Sequence, residues 1–133
     1  RGPHHQTMPY TPSQLVRCVR GRVLDVAVDI RTGSPTYGKH VAVELSEENH
    51  LQFFIPEGFA HGFAVLSDVA VFQYKCDEFY APQSEGGFYP IDDELGIDWR
   101  IPLTKAILSE KDLNRKKFSE TEPDFNYLED LYI

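Results

Sequence analysis

The chain has 133 residues, of which 41% are hydrophobic and 13% aromatic, enough for one packed domain with its own core. A formal net charge of −8 excludes a phosphate-tracking basic surface, so a nucleic-acid protein is not expected. No apolar run reaches membrane-spanning length, and neither a membrane-spanning helix nor a signal peptide is expected.

Taken in order, Arg1-Gly2-Pro3-His4-His5-Gln6 reads as a short strand, although Pro3 has no N–H for a sheet ladder. Adjacent histidines on a strand point to opposite faces, so His4 and His5 cannot grip one metal together. The stretch 7–13 carries Pro9 and Pro12 and reads as a loop. Strands follow at 15–20 and 22–30, and in the second Val26, Val28 and Ile30 share one face while Asp25, Ala27 and Asp29 share the other. Further strands at 40–45, 51–55, 62–66 and 69–75 are separated by Gly, Pro, Asn and Asp. Short strands at this spacing predict an all-β sandwich or barrel.

Beyond Tyr80 the strand pattern gives way to a Gly/Pro/Ser-rich stretch and an acidic connection ending at Trp99, the one tryptophan. Ser109 is placed as the N-cap of a short helix containing Asp112. In the tail, Phe125, Leu128 and Leu131 are spaced like one face of a second short helix over 123–133.

The residue types restrict the chemistry. Cys18 and Cys76 match no metal or CxxC pattern and read as reduced, buried thiols of a cytoplasmic protein. His40 and His50 flank polar turns and read as surface residues, whereas His61 lies among aromatics in Phe59-Ala60-His61-Gly62-Phe63. There it serves either as a hydrogen-bonded core residue or as a site residue. A metal-binding barrel needs a His-x-His pair with a glutamate and a further histidine, and that spacing is absent. No GxSxG, P-loop or dinucleotide fingerprint is present either, which leaves a β-barrel with a histidine–tyrosine site.

These stretches together resemble one family, the dTDP-4-dehydrorhamnose 3,5-epimerases of the cupin superfamily. Arg1 to Gln6 resembles the family's RG-aliphatic-H-aromatic-Q strand, Leu15-Val16-Arg17 its LVR, and 23–31 its VxDVAVDIR. Ser34 to Gly38 and Ile55 to Phe63 are similar to SPTFG and IPxGFAHGF. Tyr74-Lys75, Tyr80-Ala81-Pro82, Gly96 to Trp99 and Leu108 to Asp112 follow in family order. The resemblance implies a jelly-roll barrel with short C-terminal helical segments, a homodimer, no metal or organic cofactor, and a dTDP-sugar substrate. The implied reaction inverts carbons 3 and 5 of dTDP-4-dehydro-6-deoxy-D-glucose, in dTDP-L-rhamnose biosynthesis.

Carried over by position, His4 is the base, Tyr74 the acid on the opposite face, and Asp112 the carboxylate on the far nitrogen of His4. Arg1, Glu85, Lys111 and His61 fall at substrate-holding positions, and Tyr80 at the position that stacks on thymine. Three departures stand out. Gln14 occupies the place of a lysine facing the 4-keto oxygen, and Pro3 and His5 replace an aliphatic and an aromatic residue. The chain opens on Arg1, without the family's N-terminal segment, a strand that crosses to the partner subunit. These departures motivate two alternatives: an epimerase acting at one carbon, and a catalytically weakened cupin that binds nucleotide-sugar or serves as a structural partner.

Overall fold

A computed structural model describes residues 1–132. The predicted strands are present as β1 (His4–Gln6), β2 (Gln14–Arg20), β3 (Arg22–Asp29), β5 (His40–Ser46), β6 (Gln52–Ile55), β7 (Phe59–Val65) and β8 (Val71–Cys76). Three short strands escaped the sequence reading: β4 (Arg31–Thr32), β9 (Glu85–Gly87) and β10 (Phe125–Asn126). Two or three residues are too few to show an alternating pattern.

The strands form two facing sheets. One has the order β5-β3-β7-β1-β9 and the other β6-β2-β8, with antiparallel pairing throughout. The all-β jelly-roll expectation is met, with an open mouth between the sheets. Strand β3 lies between β5 and β7 in the larger sheet and is buried on both faces. Val23 and Ala27 join Val16, Cys18, Leu45 and Ile55 between the sheets. Leu24, Val26, Val28 and Ile30 pack on the other face against Phe88, Leu95 and Phe125. Thus each half of the alternating pattern has its own core, as for a strand covered on both sides.

The C-terminal segments supply the outer cover. Helix α1 (Glu110–Leu113) begins where expected, with Ser109 Oγ accepting from Asp112 N at 3.1 Å. Single 3-10 turns occur at Pro82–Ser84, Leu103–Lys105 and Phe118–Glu120. The tail helix predicted over 123–133 does not form; its last residue, Ile133, lies outside the described residues. In its place β10 runs parallel to β4, turns follow, Phe125 is buried and Leu128 is exposed. Phe125 enters the core as a strand residue, so Leu128 has no apolar surface to complete a helical face.

Cys18 is buried as expected, but Cys76 is exposed, because β8 lines the open mouth. His50 is exposed and His40 half-buried.

Candidate active site

A cavity of about 370 Å³ opens between the sheets, and its lining includes Arg1, His4, Gln14, His61, Tyr74, Tyr80 and Glu85. The larger sheet contributes His4 on β1 and His61 on β7, which are direct cross-strand partners with ring centroids 5.8 Å apart. The smaller sheet contributes Gln14 on β2 and Tyr74 on β8, where Tyr74 pairs with Val16 and Gln14 with Cys76. Strand alternation explains the selection. With Val16 buried beneath it, Tyr74 points into the mouth, while Lys75 pairs with Leu15 on the outer face. His5, by the same rule, turns away from His4, with its ring against Phe125 and its Nε2 2.6 Å from Asp124.

Backbone contacts close to van der Waals limits place β1 against β7. A side chain at Gly62 would meet the Arg1 carbonyl oxygen at 2.8 Å and Gly2 at 2.9 Å. The bare glycine lets Phe63 N donate to Arg1 O at 2.9 Å, which fixes the segment leading into His4.

His4 is anchored through Nδ1, 3.2 Å from the Gly2 carbonyl. That carbonyl accepts a hydrogen bond from Nδ1–H, so Nε2 carries the lone pair and has no protein partner among the described residues. Burial, then the positive charges of Arg1 and His61, pull the His4 imidazole down to about 3, against weaker upward pulls from Gly2 and Glu85. The ring is therefore neutral and able to accept a proton.

The expected bond from Asp112 to His4 is not formed, a correction to the sequence reading. Asp112 Oδ2 instead accepts from Gly2 N at 2.9 Å, in a buried setting. The short helix α1 brings the carboxylate to the strand's entry, where the Gly2 N–H is an unpaired donor. Asp112 is therefore connected to His4 only through the Gly2 peptide.

Lys111 and Arg1 converge on Glu85. Arg1 binds Glu85 Oε1 at 2.8 Å, and Lys111 Nζ pairs with Oε2. Burial pushes the Glu85 carboxyl up, but the Lys111 hydrogen bond and charge, with Arg1 and Arg115, hold it below its ordinary value. This cluster is a cationic edge of the cavity with its own counter-ion. Tyr80 offers a largely exposed ring at the rim.

One site residue was missed from sequence. Asp25, fully buried on β3, lies behind His61, whose Nε2 is 2.8 Å from Oδ1 and 2.9 Å from Oδ2. Burial pushes the Asp25 carboxyl up, and the hydrogen bond from His61 brings it part of the way back. The signal was present in the grouping of Asp25 with Ala27: a carboxylate on an inward strand face needs a buried partner. Among the described residues, no group of three or more His, Cys, Asp or Glu side chains converges in a metal-binding set.

Comparison with known proteins agrees with this architecture. The sequence model of the dTDP-4-dehydrorhamnose 3,5-epimerase family matches residues 1–120. A dTDP-4-dehydrorhamnose 3,5-epimerase from Shigella flexneri is 52% identical over 122 residues, covering 92% of this chain and 66% of that protein. The dTDP-6-deoxy-D-glucose-3,5-epimerase of Legionella pneumophila, solved in complex with dTDP-4-keto-L-rhamnose, superposes with a TM-score of 0.92. It is 46% identical, over 97% of this chain and 69% of that one. A 3'-monoepimerase from Streptomyces bikiniensis, solved with dTDP-quinovose, gives a TM-score of 0.82 at 35% identity, covering 90% and 60% of the two chains. The chain spans about two thirds of the length of the curated relatives it matches. With the family's motifs in order and its fold reproduced, the chain belongs to the dTDP-4-dehydrorhamnose 3,5-epimerase family.

Proposed function

We propose that this chain is the catalytic barrel of an isomerase that inverts C3 and C5 of dTDP-4-dehydro-6-deoxy-D-glucose, yielding the precursor of dTDP-L-rhamnose. The observation that carries this reading is the placement of His4 and Tyr74 on opposite sheets across one cavity. Protons next to a ketone are acidic enough to remove when the enolate is stabilised, and inversion needs a base on one face and an acid on the other. His4 Nε2 takes the proton, the C–H electrons flow toward the 4-keto oxygen, and the Tyr74 hydroxyl returns a proton from the far side. Tyr74 is half exposed, so solvent reprotonates the phenolate.

Arg1 and Lys111 suit a diphosphate, and the exposed Tyr80 ring suits a thymine face. An anion seated on Arg1 cancels one of the charges that lower His4, so substrate binding strengthens the base. Asp112 steadies Gly2, and through it the carbonyl that orients His4. Cytoplasmic residence fits the two free thiols. Assembly as a homodimer fits the exposed Leu15, Val19, Phe54 and Val71 on the outer face of the smaller sheet.

A narrower reading, inversion at one carbon, is favoured by the neutral Gln14 in the cavity. Incubation with dTDP-4-dehydro-6-deoxy-D-glucose in heavy water separates the readings. Deuterium at C3 and C5 supports the 3,5-epimerase, and deuterium at one carbon the narrower enzyme. Binding without exchange leaves a nucleotide-sugar-binding cupin and sinks the catalytic reading.

A further inference from the structure

The C-terminal segment 124–132 crosses the barrel without entering the cavity: no residue of it, among those described, lines the space between His4 and Tyr74. Its contacts nevertheless fall on three stretches that deliver cavity residues. Asp124 Oδ2 lies 2.6 Å from Nε2 of His5, the neighbour of His4. The Arg31 guanidinium lies 4.9 Å from the Tyr127 ring and 4.8 Å from that of Phe59, which opens β7 two residues before His61. The Tyr132 hydroxyl accepts from Glu57 N at 3.0 Å and from Ser13 Oγ at 3.2 Å, and Ser13 precedes Gln14.

Little apolar burial holds this segment down. Phe125 is buried but Leu128 is 87% exposed, so the polar contacts decide whether the segment stays docked. The His5 side chain is only 9% exposed, and Asp124 is its one hydrogen-bond partner among the described residues, because Nδ1 is buried without any. A carboxylate only accepts, so Nε2 carries the proton and donates it to Asp124. The ring also stands edge-on to Phe125, with centroids 5.7 Å apart. Strand β1 is three residues long and its side chains alternate, so a restraint on His5 from one face fixes the direction of His4 on the other.

We propose that the segment 124–132 is a strap that sets the position of His4, and that Asp124 and His5 are the positioning residues through which it acts. The kinetic consequence of the proposal rests on the epimerase reading given above. A base displaced by about 1 Å loses about 10²-fold in rate, so a clasp remote from the reacting atoms is visible in kcat. Arg1, Lys111 and Tyr80, the residues suited to the nucleotide, hold no hydrogen bond to the strap among the described residues, so substrate binding is spared.

The test compares wild type, Asp124→Ala and Asp124→Asn in the full chain. It reads kcat and KM with dTDP-4-dehydro-6-deoxy-D-glucose, and the titration of His4 followed by NMR of 15N-histidine-labelled protein. Asp124→Ala removes the acceptor, and a fall of about tenfold in kcat is expected, with KM within about twofold. His4, held near 3 chiefly by burial, should then titrate closer to 6.5, because a loosened β1 admits water. Asp124→Asn keeps an oxygen for the Nε2–H and should restore both readings to near wild type. A strap that only covers the core would lower thermal stability and leave the His4 titration and kcat in place; that result overturns the proposal. Equal losses in the alanine and asparagine variants overturn the clasp as well. Should Asp124→Ala not fold, His5→Phe keeps a ring against Phe125 without the donor. The same fall in kcat supports the proposal, and wild-type kcat with an unmoved His4 titration overturns it. Wild type that exchanges neither hydron in heavy water overturns the epimerase reading, and the His4 titration then decides the strap by itself.

Discussion

Asp112 reaches His4 only through the peptide of Gly2. Its Oδ2 accepts from Gly2 N at 2.9 Å, and the Gly2 carbonyl lies 3.2 Å from His4 Nδ1. The carboxylate therefore fixes where the imidazole sits without bonding to it. Asp112→Asn keeps an oxygen acceptor for Gly2 N–H and is expected to lower kcat by about tenfold or less. Asp112→Ala leaves a buried N–H unpaired, which costs about 1–3 kcal/mol of stability and a larger loss of rate. Steady-state kinetics with urea unfolding of both variants checks this; equal losses of rate would contradict a role through the backbone.

His4 and Tyr74 are separable by isotope. His4→Ala removes the proposed base and is expected to abolish deuterium exchange. Tyr74→Phe leaves the proposed base, which can return deuterium to the face it left, so part of the exchange is expected to survive while inversion falls. NMR of the recovered sugar reads both quantities. Full exchange by His4→Ala would reassign the base.

Gln14 is a neutral group with its Oε1 buried and unpaired, paired across strands with Cys76. On the proposed mechanism Gln14→Lys introduces an ammonium beside the developing oxyanion, and an increase in kcat approaching 10²-fold is expected. An unchanged rate would mean that the existing donors already suffice.

Gly62 admits no side chain without displacing the Arg1 and Gly2 backbone. Gly62→Ala is expected to cost about 1–3 kcal/mol and to displace His4, so activity falls more than stability alone accounts for. Thermal melts and kcat of the same preparation test this, and a fully active variant would show that β1 tolerates the shift.

Acid should destabilise the fold before any carboxylate of ordinary strength is protonated. His4 titrates near 3 in the folded chain against about 6.5 unfolded, and His5 is also lowered, chiefly by burial. Below pH 6.5 the unfolded chain binds protons that the folded chain refuses, so stability falls as pH drops toward 3 and levels off beneath. Each group contributes at most about 1.4 kcal/mol per pH unit across its window. Asp25, raised by burial, works the other way just above its ordinary value. Asp29, held low against its own burial by Arg31, Ser34 and Thr36, adds a loss below about pH 4. Urea unfolding at pH 7.5, 6 and 5 should show the decline, and His4→Asn should flatten part of it.

Much of the fold was legible because alternation is a local property. The two faces of β3, the inward Tyr74 beside the outward Lys75, and the Ser109 cap all follow from neighbours in sequence. The motif order identified the family, and with it His4, His61 and Tyr74 as residues of one cavity. The tail misled because Phe125, Leu128 and Leu131 have helical spacing, yet pairing of β10 with β4 satisfies the Phe125 backbone.

What the sequence by itself determined is therefore which side chains face inward and which residue types are available for proton transfer. Only the tertiary structure decided which carboxylate meets which donor: Asp112 with Gly2, Asp25 with His61, Glu85 with both Arg1 and Lys111. Those choices depend on register between strands far apart in the chain and on where a four-residue helix docks. A shift of one residue between β3 and β7 would turn Asp25 and His61 to opposite faces and part them, while leaving the sequence of each strand unchanged.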